Sequence, residues 1–159
     1  MKLLFAAVAL LATATAYQPA APPSNFVGKT TITPSDDMML QSENAEFFAR
    51  CGRDGNFCVY RGTVTHPDAH ALFCSGFPTL WDRSKCVFED DGNFVLFDKN
   101  GDPQWETKDF PQQKCDLPAT DYYSPHTMYL QNDGNLCISN NKYGLPRPLW
   151  CTGTNVTKP

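Results

Sequence analysis

The sequence lacks the features that mark several large classes of protein. Lys and Arg number only 13 against 17 Asp and Glu, and they are scattered along the chain. Nucleic acids and anionic membranes both favour clustered basic residues, so neither is expected as a partner. The chain has no Cys-x-x-Cys pair, which argues against a zinc site. It also shows no sustained helical period after the N-terminus, and its composition favours an all-β domain of short strands joined by turns.

The N-terminus is typical of a cleaved secretory signal peptide. A basic Lys2 precedes the apolar run Leu3–Leu11, and Ala14-Thr15-Ala16 supplies the small residues of a cleavage site. The apolar run is too short to cross a bilayer, and no later apolar stretch approaches the length that a membrane span needs. No membrane insertion is therefore expected. We therefore expect residues 1–16 to be removed and the mature protein to be secreted and extracellular.

The rest of the chain divides into three parts. Residues 17–29 are rich in Pro and Ala, which predicts an extended lead-in. A folded domain is expected over residues 30–154, and residues 155–159 form a C-terminal tail. This tail contains the only Asn-x-Ser/Thr sequon, so we predict a glycan on Asn155.

The tripeptide Asp-Gly-Asn recurs three times, and the pattern around it recurs as well. The copies begin at Asp54, Asp91 and Asp133. Each follows an apolar strand-like run and precedes an alternating strand, a turn and an aromatic segment. Asp-Gly between apolar runs is a strong hairpin signal, because glycine tolerates positive φ. Turn chemistry alone explains these aspartates about as well as a binding role does, but it does not explain the flanking pattern.

The cysteines indicate a disulfide framework. Seven lie after residue 16, so at least one lacks an intramolecular partner. Cys58 and Cys74 of the first copy occupy the places of Cys137 and Cys151 in the third, and the second copy has neither. Cysteines that appear together and vanish together should be bonded, so we predict Cys58–Cys74 and Cys137–Cys151. At most one further bond, which the sequence does not assign, joins two of the remaining three: Cys51, Cys86 and Cys115.

With these three copies, the chain resembles the bulb-type (monocot mannose-binding) lectin family. The signature of that family is Gln-x-Asp-x-Asn-x-Val-x-Tyr, once in each of three sheets. The resemblance covers roughly residues 30–154. It implies a β-prism II of three antiparallel sheets with pseudo-threefold symmetry, stabilised here by disulfides. It also implies metal-independent binding of mannose-type glycans, with no cofactor and no catalytic residues.

The sugar-binding positions of the family can be carried onto each copy, and each copy departs from the signature differently. Gly52 and Cys58 depart from it in the first copy, Glu89 and Phe97 in the second, and Cys137 and Ser139 in the third. The resemblance assigns sugar binding to Asp54, Asn56 and Tyr60 in the first copy, to Glu89, Asp91, Asn93, Val95 and Phe97 in the second, and to Gln131, Asp133 and Asn135 in the third.

The second copy is expected to bind best. In the family, Val packs on the sugar ring, and Val95 retains that residue. The equivalent Cys58 and Cys137 are expected to be held in disulfides on the same outward face, where they would change the shape of the platform.

Three other groups of residues have simpler interpretations. His66 and His70 could form a metal pair, but Pro67 opposes a helix there, and a solvated segment is favoured. Trp81, Trp105 and Trp150 could stack on sugars, but a core role is favoured. The adjacent carboxylates Asp36-Asp37 and Asp90-Asp91 suit turns, so glycosidase activity is not expected.

The sequence therefore favours a secreted protein that binds glycans or glycoproteins. The alternative is a non-catalytic interaction or structural domain whose sugar sites are degenerate, since a fold does not guarantee a function. The sequence leaves a homo-oligomer open.

Overall fold

The computed structural model describes residues 23–34, 39–67, 70–76, 85–109, 126–140 and 147–156. These residues form short strands and a single turn of 3-10 helix at Thr107–Asp109. Among them no helix is long and apolar enough to cross a membrane. The strands are β1 Asn25–Val27, β2 Thr30–Ile32, β3 Leu40–Gln41, β4 Phe47–Cys51, β5 Phe57–Thr63, β6 His66–Pro67, β7 Phe73–Cys74, β8 Lys85–Phe88, β9 Phe94–Phe97, β10 Pro103–Glu106, β11 His126–Leu130, β12 Leu136–Asn140 and β13 Arg147–Cys151.

The strands form three antiparallel sheets, one for each sequence repeat. The first sheet has the order β3-β4-β5-β6, with β7 also paired to β5; the second is β10-β9-β8-β2; the third is β1-β11-β12-β13. Each repeat supplies a hairpin and a third strand to its own sheet. The all-β fold of three antiparallel sheets is thereby confirmed.

The N-terminal segment supplies one further strand to every sheet. β1 pairs with β11 in the third sheet, β2 with β8 in the second, and β3 with β4 in the first. β1 lies within residues 17–29, which the sequence assigned to an extended lead-in. The ordered fold thus extends N-terminal of Thr30, because Phe26 packs against the core and the β1 backbone pairs with β11.

Three aromatic side chains meet where the sheets converge. Phe73, Trp105 and Trp150 each come from the third strand of one repeat, and their ring centroids lie 5.7 to 6.3 Å apart. Trp105 and Trp150 are buried, so the core role expected for them is confirmed. Trp81 lies outside the described residues. The shared aromatic centre explains why each repeat ends in an aromatic strand.

Three disulfides lie among the described residues, two within single sheets and one between sheets. Cys58–Cys74 and Cys137–Cys151 join directly paired positions of neighbouring strands in the first and third sheets, as the repeat pattern predicted. Cys51–Cys86 is the third bond, and it links the first sheet to the second. Cys115 lies outside the described residues.

The two histidines of the first repeat are exposed. His66 lies in the short strand β6, where its Nδ1 is 3.0 Å from the Thr65 hydroxyl. No group of three metal-ligating side chains occurs within the described part of the chain.

Candidate functional site

The three hairpins share one turn geometry, in which the aspartate side chain closes the turn. In each copy the Asp Oδ1 accepts a hydrogen bond of 2.9 to 3.0 Å from the backbone N–H two residues later. The glycine between them has a φ of 81 to 84°, which disfavours other residues. Asp54, Asp91 and Asp133 therefore all shape their turns, and only their remaining acceptor capacity is available to a ligand.

The asparagines of the motif hold the third strand of each repeat in place. The Oδ1 atoms of Asn56, Asn93 and Asn135 accept hydrogen bonds from hydroxyl groups just after that strand. Those hydroxyl oxygens in turn accept the backbone N–H that follows each asparagine. The hydroxyls belong to Ser75, Thr107 and Thr152.

Two of these asparagines are nearly inaccessible. Asn93 and Asn135 are 5% and 7% exposed. The amide nitrogen of Asn93 also donates to Glu106 Oε2 at 2.8 Å, so both ends of that side chain are engaged. The structure thus gives the asparagines an internal structural role that the sequence pattern did not reveal.

The position expected to pack on a sugar ring is covered in all three sheets. Val95 is 2% exposed, and the equivalent Cys58 and Cys137 are 3% and 2% exposed. The preference for the second copy assumed that Val95 presents an open platform. Val95 is instead as inaccessible as the two cysteines, so exposure of this position does not distinguish the second copy.

In the second sheet, charged side chains occupy the region of the motif. Glu106 accepts from Lys108 Nζ at 2.7 Å and from Asn93. Burial would raise the pKa of Glu106, but hydrogen bonds from Lys108 and Asn93, together with the Lys108 charge, outweigh it and lower that pKa. The hydrogen bond to Glu106, with the charges of Glu106, Asp91 and Glu89, raises the pKa of Lys108. The two predicted ligands Asp91 and Glu89 thus lie in the field of an ammonium group.

The last predicted residue of the second copy is also covered by a cation. Lys85 Nζ lies 4.9 Å from the centroid of the Phe97 ring, and the two residues are directly paired across β8 and β9. Phe97 is half-buried.

In the first sheet, the motif tyrosine packs within its own sheet. The Tyr60 ring stacks on Phe48 with centroids 5.1 Å apart, and the guanidinium of Arg50 lies 5.0 Å from the Tyr60 centroid. Arg50 also donates to the Tyr60 hydroxyl at 3.4 Å. Asp54 is exposed beyond this cluster, and Gly52 adds no side chain beside it.

In the third sheet, the described residues of the outer face open into a cavity of about 430 Å³. This volume lies within the roughly 300–1,000 Å³ of typical small-ligand sites. The lining runs from buried Thr127 and Ser139 through half-buried Tyr129 and Gln131 to exposed Glu43 and Asn132. Ser24, Asn25 and Leu130 complete the described lining. We refer to this feature as the third-sheet cavity.

Tyr129 contributes an aromatic ring and a hydroxyl that the motif itself lacks in this copy. It is directly paired with Cys137 across β11 and β12, and Gln131 Nε2 lies 3.4 Å from its hydroxyl. The family signature places its tyrosine at position 139, so the motif does not point to Tyr129. The signal was present, since residues two apart on a strand face the same side, as Tyr129 and Gln131 do here.

The C-terminal tail docks beside this cavity. Asn155 Nδ2 donates to Asp133 Oδ2 at 3.0 Å, and the Val156 N–H donates to the Asp133 carbonyl at 2.8 Å. Asp133 Oδ1 already accepts the Asn135 N–H. Both carboxylate oxygens of Asp133 are therefore engaged, and the start of the tail is part of the ordered fold.

The fold has clear counterparts among solved structures. A lectin from Marasmius oreades superposes with a TM-score of 0.63 at 22% identity, covering 86% of this chain and 95% of that one. A monomeric monocot mannose-binding lectin from Gastrodia elata gives 0.62 at 17% identity, covering 84% and 99%. The mannose-specific agglutinin of snowdrop (Galanthus nivalis) bulbs, complexed with methyl α-D-mannoside, gives 0.52 at 21% identity, covering 84% and 99%.

No protein-family model and no curated protein sequence matches the chain. The likeness therefore lies in the three-dimensional arrangement, at sequence identities of 22% or less for these three structures. Three antiparallel sheets, a hairpin repeat in each and a shared aromatic centre identify the fold of this chain as the β-prism II of the bulb-type mannose-binding lectins.

Proposed function

We propose that this protein is a non-catalytic binder of mannose-type glycans and that the third-sheet cavity is its principal sugar site. The observation that carries the proposal is the cavity itself, which lies on the motif-bearing face of one sheet and is lined by Tyr129 and Gln131. The fold supports it, because the structurally similar proteins from Gastrodia and snowdrop are mannose-binding lectins.

The chemistry of the cavity suits a neutral sugar. An amide both donates and accepts hydrogen bonds, and a phenol does the same from a rigid ring. Gln131 and Tyr129 are half-buried, so a bound sugar would contact them while keeping part of its surface in water. Such a shallow site with a few hydrogen bonds should have roughly millimolar affinity for a monosaccharide, about −4 kcal/mol. Useful binding to glycans or glycoproteins would then depend on multivalency.

We further propose that binding needs no metal or cofactor and that the protein acts outside the cell. Neutral hydrogen-bonding groups can bind sugar hydroxyls directly, so a chelator should leave the affinity unchanged. The signal-peptide pattern of residues 1–16 and the disulfide framework support secretion, because disulfides persist in oxidising compartments.

The proposal can be tested with the oxidised, full mature chain. We expect a glycan panel to show preference for mannose-rich glycans, and titration with methyl α-D-mannoside to give saturable binding. Gln131→Ala should weaken binding about fivefold, the equivalent of one neutral hydrogen bond of about 1 kcal/mol. Glu89→Ala changes the equivalent position in the second sheet and should have a smaller effect. The reverse order would assign the site to the second sheet.

A second function has one observation in its favour. In the second sheet the motif residues are engaged internally, by the Glu106–Lys108 ion pair and by the Asn93–Glu106 hydrogen bond. This arrangement is what a degenerate sugar site in a protein-interaction domain would show. If no glycan on the panel binds the folded protein, the interaction role is the better account.

A further inference from the structure

The loop between β3 and β4 belongs to the first sheet but is attached to the third. The backbone N–H of Asn44 donates to Asn132 Oδ1 at 2.9 Å, and Asn44 Nδ2 donates to the Asn132 carbonyl at 3.0 Å. The loop is also closed on itself, because the Ser42 hydroxyl donates to Asn44 Oδ1 at 2.7 Å and accepts the Phe47 N–H at 3.0 Å. These contacts fix the intervening Glu43 at the wall of the third-sheet cavity.

Glu43 gives the cavity its charge. Among the described residues that line it, Glu43 is the one acidic residue, and none of them is Lys, Arg or His. The others are neutral polar groups and one leucine. Glu43 is exposed, and the contacts that hold its loop come from its neighbours Ser42 and Asn44. A bound ligand would therefore meet a carboxylate carried on a backbone that these contacts hold in place.

Both oxygens of the motif carboxylate of this sheet already accept hydrogen bonds from the protein itself. Asp133 Oδ1 accepts the Asn135 N–H at 3.0 Å, and Asp133 Oδ2 accepts from Asn155 at 3.0 Å. Asp133 is also absent from the described lining of the cavity, whereas Glu43 is present. The carboxylate best placed to accept hydrogen bonds from a ligand in the cavity is thus the one on the neighbouring loop.

We propose that Glu43 is a specificity-determining residue, which accepts hydrogen bonds from the hydroxyls of a neutral sugar and excludes acidic glycans. A carboxylate has two oxygens and can accept from two adjacent hydroxyls, and such charge-assisted hydrogen bonds are about twice as strong as neutral ones. An anionic sugar would instead face a like charge with no cationic side chain among the described lining residues. This inference rests on the proposed function and narrows its ligand to neutral glycans.

The test uses two ligands that share a sugar and differ in charge, methyl α-D-mannoside and mannose 6-phosphate. Each is titrated into the full mature chain, the Glu43→Gln variant and the Asp102→Asn control. Asp102 is an exposed carboxylate in the hairpin between β9 and β10, so its substitution makes the same chemical change away from the cavity. We expect the unmodified protein to bind methyl α-D-mannoside at least tenfold more tightly than mannose 6-phosphate.

Glu43→Gln should weaken methyl α-D-mannoside binding roughly tenfold and reduce the discrimination against mannose 6-phosphate, while Asp102→Asn should behave like the unmodified protein. Unchanged affinity and discrimination in Glu43→Gln would overturn the role of Glu43 and leave the proposed function standing. Preference of the unmodified protein for mannose 6-phosphate would also overturn it. Failure of the unmodified protein to bind either ligand, or any mannose-rich glycan, would overturn the proposed function and this inference together.

Discussion

The second and third sheets share one backbone design and present very different outer faces. Both have an Asp-Gly turn closed by the aspartate and an asparagine that holds the third strand through a threonine hydroxyl. In the second sheet an ion pair and a cation over Phe97 cover the motif region. In the third, a docked loop and the N-terminal strand surround an open cavity.

This difference shows that the motif residues alone do not make a site. The repeated Asp and Asn residues are explained by folding in both sheets, since their hydrogen bonds close turns and join strands. What distinguishes the sheets is the set of side chains beside the motif. In the second sheet these are Lys85, Glu106 and Lys108 of the same repeat, whereas the third sheet also receives side chains from outside its repeat. In the third sheet these side chains come from loops distant in sequence, Asn44 and Asn132 being 88 residues apart.

The largest loss of stability should follow from changing the aromatic centre that the two sheets share. Trp105 of the second and Trp150 of the third are buried in the same aromatic centre, 5.9 Å apart. We expect Trp105→Ala and Trp150→Ala each to lower the free energy of unfolding by about 3–5 kcal/mol, through lost burial and the cavity left behind. Denaturant unfolding measures this. A loss below 1 kcal/mol for one of them would show that the sheets do not share a core equally.

Removing the disulfide of the third sheet should cause the next largest loss of stability. Cys137–Cys151 closes a sequence separation of 14 in the third sheet, where the second sheet has Val95 and Glu106 at the corresponding positions. Replacing both cysteines with serine should cost about 3 kcal/mol of unfolding free energy, because the unfolded chain is no longer constrained. The first-sheet pair Cys58–Cys74, at a separation of 16, is the matched comparison and should cost a similar amount. Strongly unequal losses would mean that the bonds do not act mainly through loop closure.

Replacing the motif asparagines should lower stability by a smaller amount, which should be similar in the two sheets. Asn93→Ala and Asn135→Ala each leave a threonine hydroxyl without its acceptor, in a buried network in the second sheet and a half-buried one in the third. Leaving such groups unsatisfied costs about 1–3 kcal/mol. Urea unfolding should therefore show a similar loss for both variants. A stability unchanged by Asn135→Ala would restore a direct binding role to this residue.

The smallest effect on stability concerns the Glu106–Lys108 ion pair of the second sheet. The lowered pKa of Glu106 means that its contribution to stability is present above the ordinary pKa of 4.5 and is lost as the pH falls through the folded-state value. Lys108 is 63% exposed, so the pair should contribute less than about 1 kcal/mol. Lys108→Met should thus reduce stability slightly at neutral pH and flatten its decline below pH 4.5.

Lys99→Met is the control for this measurement, because Lys99 is exposed in the turn between β9 and β10. Thermal unfolding between pH 3 and pH 7 compares the two variants. An equal pH profile in Lys108→Met and the unmodified protein would show that the pair contributes nothing to folding.

Much of the fold could be predicted from the sequence, because its signals are local. The Asp-Gly turns and the alternating residues after them define a hairpin in each repeat. The joint presence of Cys58 with Cys74 and of Cys137 with Cys151 indicates bonds that the structure contains. The N-terminal strands were harder, since β1, β2 and β3 are only two or three residues long and each pairs with a different distant strand.

The site could be predicted only in part. The resemblance pointed to Gln131, which lines the cavity, but also to Val95, which is covered, and to Asn135, which is engaged internally. Whether a motif side chain is buried depends on tertiary contacts, which leave no periodic signal along the chain. Glu43 could not be found from the motif, because it reaches the third sheet through hydrogen bonds made by its neighbour Asn44.

The position of a bound sugar tests the central claim most directly. Methyl α-D-mannoside can be titrated into the ¹⁵N-labelled, oxidised protein while the backbone amide resonances are followed by NMR. The account predicts saturable shifts concentrated at Tyr129, Gln131 and Asn132 in the third-sheet cavity, with the amides of Asp91 and Val95 unmoved. Shifts centred on the second sheet, or no shifts with the sugar in large excess, would contradict it.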